Sequence, residues 1–196
     1  MTIFDLFFLA SVLLELALLI SMAVFAVRGR WRQLRRVALV AGLYVAGYAA
    51  VLVSVALATP RRYLAPGERR CFDDWCVTAM SAQRQGRVWI ATLEVSSVAR
   101  RVRQRARDAS AEMEDLAGRR YPPCGASEGD MSAELGSGES FPVKLRFCLP
   151  ANAQPAGLVF HHGDFPGEVI IGDDAAAFHT PALARMALSQ GSTALP

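Results

Sequence analysis

The sequence predicts two membrane-spanning helices followed by an all-β sandwich domain. Two long apolar runs, at 3–27 and 37–58, fill most of the first 60 residues. All four cysteines lie beyond residue 70. From there on, apolar and polar residues alternate with the period of two that strands produce, instead of the helical period. Together these observations predict a helical anchor and one ordinary domain.

Each apolar run is long enough to cross a bilayer. The runs contain 25 and 22 residues, and about 20 helical residues cross the roughly 30 Å of hydrocarbon. A cleaved signal peptide is the alternative for the first run. That run, however, has no basic segment before it, is longer than a signal peptide needs, and is followed by a second span. We therefore predict a transmembrane hairpin over residues 1–60.

The loop between the runs, residues 28–36, carries five arginines. The positive-inside rule places this loop in the cytoplasm and both ends of the hairpin outside. The expected location is the inner (cytoplasmic) membrane, with two spans and an extracytoplasmic carboxy-terminal domain. The whole formal charge of +3 also belongs to residues 1–60, because residues 61–196 hold 16 basic and 16 acidic residues. A neutral outer domain argues against nucleic acid as a partner.

Glu15 is a polar group that needs an explanation within the first span. An ionised carboxylate at mid-span is costly, and an antiparallel hairpin is expected to bring Glu15 level with Tyr48, with Tyr44 one turn away. We expect a protonated Glu15 to hydrogen-bond one of these tyrosines and so hold the helices together. The alternative is a site for a membrane partner or for a proton.

Small residues recur at every fourth position of the second span: Ala38, Gly42, Ala46, Ala50 and Ser54. Such a ridge lets two helix backbones approach closely, and it could pack against the first helix or against a second copy of the chain. The expected partners are therefore the lipid bilayer and, through these helices, a protein subunit or a second copy.

The cysteines predict two disulfides in an oxidising compartment. Cys71 and Cys76 are spaced too widely for a CxxC redox or zinc motif, and we expect them to pair with each other. Cys124 and Cys148 would form the second pair. Four cysteines allow three connectivities, and four free buried thiols are the alternative. The segment ahead of them, residues 61–70, is predicted to be a short juxtamembrane linker.

Short strands are predicted throughout residues 71–189. In 143–149, Val143, Leu145 and Phe147 alternate with polar residues, which is typical of a half-buried strand. The other predicted strands lie at 75–80, 88–95, 109–113, 158–162 and 169–171. About seven short strands without a convincing amphipathic helix indicate a β-sandwich.

Glycine and proline mark the connections between these strands. A Gly/Ser/Glu-rich stretch at 128–140 is predicted to be a long loop, and 163–167 a turn. Residues 182–189 are expected to form a short helix or an edge strand. Residues 190–196 are predicted to be a disordered tail.

Several stretches of the outer domain resemble a known family. They are Cys71-Phe-Asp-Asp-Trp-Cys76, residues 97–106, Asp115-Leu-Ala-Gly-Arg-Arg-Tyr121, the Gly-Glu-Ser turn at 138–140 and the Phe-Cys-Leu-Pro strand end at 147–150. In this order they are similar to the immunoglobulin-like domains of bacterial lipoproteins and membrane proteins of unknown function, which are related to the secreted mycobacterial immunogenic β-sandwich proteins. The resemblance covers residues 70–180 and implies an immunoglobulin-like sandwich without catalytic residues. The chain departs from antibody-type domains, since no cysteine pair brackets a core tryptophan.

Residues 100–107 hold five arginines. At strand spacing, four of them would share one face: Arg101, Arg103, Arg105 and Arg107. This predicts a stripe for anionic headgroups, a cell-wall polymer or an acidic partner. The alternative is a solvated face whose arginines pair with acids such as Glu112, Glu114 and Asp115.

The three histidines suggest a second type of site. His161 and His162 would point to opposite faces of a strand, so only one of them could bind a metal together with His179, Asp164 or Asp173. No HxH, HExxH or Cys–His spacing is present, nor a GxSxG, P-loop or GxGxxG motif. We therefore expect no metal site, no cofactor and no catalytic residue.

The sequence thus favours a membrane-anchored, extracytoplasmic binding or interaction module that is not an enzyme and whose ligand it does not name. Two alternatives stay open. One is a metal- or ligand-sensing module that uses the His161–His179 region. The other is an accessory subunit of a membrane complex, held through the transmembrane hairpin.

Overall fold

The computed structural model describes residues 3–72, 74–106, 109–162, 169–171, 176 and 178–190. Its contacts divide the chain into two units. One unit comprises Met1–Pro60 and Phe165–Thr180, and the other comprises Arg61–Asp164 and Pro181–Pro196.

The first unit is built on a helical hairpin, α1 (Ile3–Val27) and α2 (Trp31–Ala58). They are joined by a short turn in which Gly29 adopts a positive φ of 66°. The predicted loop over 28–36 is wrong in extent, because residues 31–36 already belong to α2. After Gly29 these residues are ordinary helix formers, so nothing delays the start of the helix. α2 ends before Pro60, which cannot continue it.

Both helices present apolar side chains to their surroundings. Each is long and apolar enough to cross a membrane, judged by length and composition. Leu13, Leu43 and Leu57 are 58%, 66% and 71% exposed. A core helix of a soluble protein buries such side chains, so this hairpin has a large apolar surface that its own described residues leave exposed.

The second unit is a β-sandwich of two sheets. Its strands are, in chain order, β1 (Tyr63–Leu64), β2 (Arg69–Phe72), β3 (Trp75–Gln85), β4 (Val88–Ser97), β5 (Ser110–Asp115), β6 (Arg120–Tyr121), β7 (Ser140–Cys148), β8 (Pro155–His161), β9 (Leu183–Ala184) and β10 (Ala187–Gln190). Sheet 1 has the order β1-β9-β8-β5-β6, and sheet 2 has the order β10-β3-β4-β7, with β2 also paired to β3. β1 pairs with β9 and β10 with β3 in parallel; the other described strand pairs are antiparallel.

Alternating side chains from both sheets form one core. On β7, Val143, Leu145 and Phe147 are buried while their neighbours are exposed, as the sequence alternation predicts. Met113 and Phe160 of sheet 1 belong to the same apolar cluster. Burying a side chain of this size stabilises a fold by about 1.5–3 kcal/mol, so this shared core holds the two sheets together.

Two predicted segments differ from the structure, and a third decides between two predicted alternatives. Residues 61–70 are not a free linker, because β1 and the start of β2 lie within them and pair with β9 and β3. Residues 169–171 form a turn and a bend instead of a strand, and they belong to the helical unit. Residues 182–189 hold β9 and most of β10, which decides for strands over a helix. The predicted turn at 163–167 and tail residues 191–196 lie outside the described residues.

Candidate functional site

The structure contains both predicted disulfides, Cys71–Cys76 and Cys124–Cys148. Cys71 lies directly opposite Cys76 in the β2–β3 pairing. Cys124, which follows β6, is tied to the end of β7, with the two Cα atoms 5.8 Å apart. The alternative of four free thiols does not hold in this structure. All four cysteines therefore cross-link the sandwich, and none is left as a free thiol.

Glu15 is not bonded to either tyrosine that was predicted to satisfy it. The Tyr44 hydroxyl donates a hydrogen bond of 2.8 Å to Ser11 Oγ. The Tyr48 hydroxyl donates one of 2.7 Å to the carbonyl oxygen of Val169. Glu15 Oε1 is buried with no hydrogen-bond partner among the described residues. The predicted Glu15–tyrosine contact is therefore wrong.

The register of the two helices explains this difference. The Tyr44–Ser11 bond and the stacking of Tyr48 on Phe7, with ring centroids 6.0 Å apart, fix how the helices run past each other. Continuing this antiparallel register places Glu15 level with residue 40, about two turns from Tyr48. The prediction assumed a nine-residue loop. Because the actual turn is shorter, α2 is shifted along α1 by about two helical turns relative to that prediction.

Of the five small residues of α2, only Ala38 is partly buried. Gly42, Ala46, Ala50 and Ser54 are all exposed. The face of α2 that is covered carries Tyr48, Leu52 and Val55, and these side chains pack with Ile171 and Ala176. For the four exposed residues, packing on α1 is therefore wrong, and contact with a second copy stays a prediction.

The predicted arginine stripe does not form, because the described residues after β4, 98–106, do not make a strand. Arg103 forms an ion pair with Glu134 at 3.0 Å, and Arg105 Nε donates to the carbonyl oxygen of Ser132 at 3.0 Å. Arg101 is exposed, and Arg107 lies outside the described residues. A common face for alternate residues requires extended strand geometry, which bends replace in this segment.

The acids predicted to neutralise that stripe have other partners. Glu114 and its neighbours form a group that we call the Glu114 cluster: Arg61, Glu114, Asp115, Arg119, Arg120 and Tyr121. The Arg61 guanidinium binds both oxygens of the Glu114 carboxylate, at 2.5 and 2.7 Å, and Arg120 Nε lies 3.3 Å from it. The Glu114 side chain is only 5% exposed. The hydrogen bond from Arg61 holds the pKa of Glu114 below its ordinary value, against the opposite effect of burial.

Asp115 anchors the turn between β5 and β6. Its carboxylate accepts hydrogen bonds of 2.9 Å from the backbone N–H groups of Ala117 and Arg119 and from the Tyr121 hydroxyl. Burial by itself raises the pKa of Asp115, but the hydrogen bonds from Arg119, Tyr121 and Ala117 outweigh it and the pKa is lowered. Both buried carboxylates of the cluster are thus satisfied by protein groups, which indicates a structural role.

The histidines are held separately. His161 Nε2 lies 3.4 Å from Glu112 Oε2. The ring of His162 stacks on Phe72 and Trp75, with ring centroids 5.4 and 5.6 Å away. Within the described ranges, no group of three His, Cys, Asp or Glu side chains could hold a metal ion. Asp164 and Asp173, named above as further ligands, lie outside those ranges.

A polar cleft on sheet 2 was not predicted from the sequence. It has a volume of about 530 Å³ and opens between β2, the end of β4, the segment that follows β4, and the turn before β7. We call it the serine cleft, because four serines line it beside two arginines and one glutamate: Ser96, Ser97, Ser137, Ser140, Arg69, Arg100 and Glu94.

Strand register sets the floor of the serine cleft. Arg69 lies opposite Thr78 and Thr78 lies opposite Glu94, so the three side chains form one row on the outer face of sheet 2. Neighbouring strands are about 4.8 Å apart, which separates the Arg69 and Glu94 backbones by roughly 10 Å. Ser96 and Ser140 lie opposite each other in the next row.

Hydrogen bonds at the Ala99 backbone hold the segment that forms the wall of the serine cleft. The Ser137 hydroxyl donates a hydrogen bond of 2.5 Å to the Ala99 carbonyl oxygen. The Ala99 N–H in turn donates to Ser97 Oγ at 3.2 Å. The turn before β7 needs Gly138, whose φ of 71° lies in the left-handed region that side chains disfavour. The segment after β4 and this turn therefore hold each other in place.

The hydroxyl groups of the remaining two serines, Ser96 and Ser140, differ in their hydrogen bonding. The Ser140 hydroxyl donates to a carboxylate oxygen of Glu94 at 3.0 Å. Ser96 is 6% exposed, and its buried hydroxyl has no hydrogen-bond partner among the described residues. One sequence signal could have located the cleft: β4 ends in a Ser-Ser pair, and β7 follows a Ser-Gly-Glu-Ser turn.

No protein-family model and no curated protein matches the chain. Two solved structures are similar to part of it. MPT63, a secreted protein from Mycobacterium tuberculosis, is 13% identical with a TM-score of 0.43, and the match covers 54% of this chain and 93% of that protein. An uncharacterized β-sandwich protein from Clostridium difficile 630 is 10% identical with a TM-score of 0.39, over 53% of this chain and 89% of that protein. At these identities the two matches do not indicate a function.

Proposed function

We propose that the chain is a membrane-anchored, non-enzymatic binding module, whose immunoglobulin-like β-sandwich lies outside the cytoplasmic membrane. The ligand occupies the serine cleft. The observation that carries this proposal is the cleft of about 530 Å³ with unmatched polar groups on its lining. That volume falls within the range typical of small-molecule sites.

Two features support the membrane anchor and its orientation. The exposed leucines of both helices need an apolar environment, which a bilayer supplies. Arg28 and Arg30 lie in the turn of the hairpin, and Arg32, Arg35 and Arg36 lie in the first turns of α2. The positive-inside rule places this end in the cytoplasm and the sandwich on the other side. The two disulfides suit the oxidising compartment found there.

The residues of the serine cleft favour binding over catalysis. A serine nucleophile requires a base within hydrogen-bonding reach. Among the described residues that line the cleft, Glu94 is the only carboxylate and none is a histidine. Glu94 accepts a hydrogen bond from the exposed Ser140 hydroxyl, and no third group orients Glu94 in the described part of the chain. The cleft therefore provides donors and acceptors for recognition.

A cleft-filling variant tests this function. Val98 lines the cleft and is 42% exposed, whereas Val102 is 58% exposed and lies outside the lining. The purified full-length protein in detergent would be screened by ligand-observed NMR against glycerol 3-phosphate, N-acetylglucosamine and D-alanyl-D-alanine. At least one probe should bind the wild type and Val102→Trp but not Val98→Trp. Equal binding to both variants would place the ligand elsewhere, and no binding at all would remove the proposal.

The orientation is tested separately in intact cells with a membrane-impermeant thiol reagent. After reduction, Cys124 and Cys148 should be labelled from outside. A cysteine introduced by Arg28→Cys should be labelled only after the membrane is permeabilised. The reverse pattern would show the opposite topology.

A further inference from the structure

The ligand class of the serine cleft follows from its unmatched charges and hydroxyls, and this step rests on the proposed function above. We propose that the cleft binds an oxyanion, a phosphate or carboxylate group, with Arg69 and Arg100 as its cationic contacts.

The first support is the state of the two arginines. Arg69 and Arg100 are both exposed, and within the described residues neither forms an ion pair. Other arginines of the same sandwich, such as Arg61, Arg103 and Arg119, are bound to carboxylates at 2.5–3.0 Å. A guanidinium offers several N–H donors in a planar fork that matches two oxygens of a carboxylate or phosphate. The guanidinium groups of Arg69 and Arg100 are therefore available to bind an oxyanion.

The second support is the position of the two charges. Arg69 comes from β2 on the sheet face, and Arg100 comes from the segment after β4. They therefore approach the same space from two different elements. Glu94 supplies the one negative charge on the lining and accepts a hydrogen bond from Ser140. The lining carries a net positive charge, which favours an anion over a neutral sugar or a peptide cation.

The third support is the supply of hydroxyl donors. Ser97 Oγ accepts the Ala99 N–H, which leaves its own proton for another acceptor. Ser96 is more than nine-tenths buried, and its hydroxyl has no partner among the described residues. Buried hydroxyls are normally hydrogen-bonded, so a rotation of the Ser96 side chain toward the cleft would let an acceptor bound there satisfy its hydroxyl. An oxyanion is an acceptor at every oxygen and can accept hydrogen bonds from such hydroxyls and from the guanidinium groups.

Matched variants make this inference testable. The probe is glycerol 3-phosphate, with glycerol as its neutral counterpart, measured by calorimetry on the full-length protein in phosphatidylcholine nanodiscs. We expect glycerol 3-phosphate to bind and glycerol not to bind. Arg69→Gln and Arg100→Gln should each weaken binding by about tenfold or more. Arg101→Gln is the control, because Arg101 is an exposed neighbour outside the lining, and it should stay within about twofold of the wild type.

The outcomes separate this inference from the proposed function. Binding of N-acetylglucosamine that is lost in Val98→Trp but unchanged in Arg69→Gln and Arg100→Gln would keep the cleft as a binding site and overturn the oxyanion. Equal effects of Arg100→Gln and Arg101→Gln would overturn it as well, because general surface charge would then explain the affinity. No binding of any probe would overturn both.

A further arm identifies the source of the oxyanion. Nanodiscs that contain phosphatidylglycerol present a phosphodiester on a headgroup with a net negative charge, whereas the phosphatidylcholine headgroup is zwitterionic. Weaker binding of added glycerol 3-phosphate in these nanodiscs would support the oxyanion site and assign it to a headgroup that already occupies the cleft. Unchanged binding, still lost in Arg69→Gln, would support the site and assign it to a soluble phosphate ester.

Discussion

The sandwich carries arginines in two settings that differ in what they are paired with. In the Glu114 cluster, Arg61 and Arg120 share the Glu114 carboxylate, and Arg119 binds Asp115. Those two carboxylates are 5% and 1% exposed. In the serine cleft, Arg69 and Arg100 form no ion pair within the described residues. The same residue type thus satisfies buried acids in one region and stays open to solvent in the other.

This difference shows where the charge of the sandwich is available. A buried carboxylate loses several kcal/mol of hydration and must regain it from its partners, so the arginines of the Glu114 cluster are required by the fold. Arg69 and Arg100 satisfy no such acid in the described part of the chain. Residues 61–196 are neutral in total, yet this pairing leaves a local excess of positive charge at the serine cleft. The distribution of charge, and not its sum, therefore indicates a site.

Removing the central acid of the Glu114 cluster should have the largest effect. Glu114→Ala leaves Arg61 and Arg120 without their carboxylate, and we expect a loss of about 3 kcal/mol in the free energy of unfolding. Glu94→Ala in the serine cleft is the control, because it removes a partly exposed acceptor for one serine. It should cost less than about 1 kcal/mol. Denaturant unfolding of the full-length protein in detergent measures both, and equal losses would contradict the distinction between the two regions.

Part of the acid sensitivity of the sandwich should come from the Glu114 cluster. The pKa values of Glu114 and Asp115 are lowered in the folded protein. Their contribution is therefore complete above the ordinary carboxyl pKa of about 4, and it is lost as the pH falls through the lowered values. Glu114→Gln should be less stable at neutral pH and should show a shallower decline between roughly pH 5 and pH 2. Glu94→Gln is the control, and a decline as shallow as that of Glu114→Gln would argue against this origin.

The parts of the fold that the sequence predicted are those that depend on local patterns. An apolar run of 22 residues requires a helix of bilayer length, wherever that helix lies. The alternation of Val143, Leu145 and Phe147 similarly requires a strand with one buried face, whichever strand pairs with it. The two disulfides followed from a compartment argument: short spacing paired Cys71 with Cys76, and Cys124 and Cys148 were the remaining two. None of these predictions needed the register of one element against another.

The contacts that the sequence did not predict depend on how distant elements are placed against each other. Glu15 was predicted to hydrogen-bond Tyr48 or Tyr44. Nothing in the sequence of either helix shows how short the connection between them is, and that connection sets their register. Arg61 was predicted to lie in a linker. It is instead bound to Glu114, which is 53 residues further along the chain. The serine cleft exists because β4 pairs with β7 so that Ser96 meets Ser140. Such juxtapositions arise from tertiary packing and leave no periodic trace.

The turn that borders the serine cleft should respond to a single methyl group. Gly138 has a φ of 71°, and a Cβ there would meet no atom within 4 Å, so Gly138→Ala tests backbone strain alone. We expect a loss of about 1 kcal/mol in the free energy of unfolding, together with weaker binding of glycerol 3-phosphate. Gly86→Ala is the matched control, since Gly86 has a φ of 63° in equally open space, in the β3–β4 turn. It should cost a similar amount and leave binding unchanged; weaker binding in both variants would show that loss of stability explains the effect.

Neutralising the open arginines should have the smallest effect on stability. Arg69→Gln and Arg100→Gln remove exposed charges that satisfy no buried acid, so each should change the free energy of unfolding by less than about 0.5 kcal/mol. Arg61→Gln is the comparison from the Glu114 cluster. It should cost about 2 kcal/mol, because it leaves the Glu114 carboxylate partly unpaired, although Arg120 still contacts that carboxylate. A loss from Arg100→Gln as large as that from Arg61→Gln would mean that the fold requires this charge, and the main reason to assign it to a ligand would disappear.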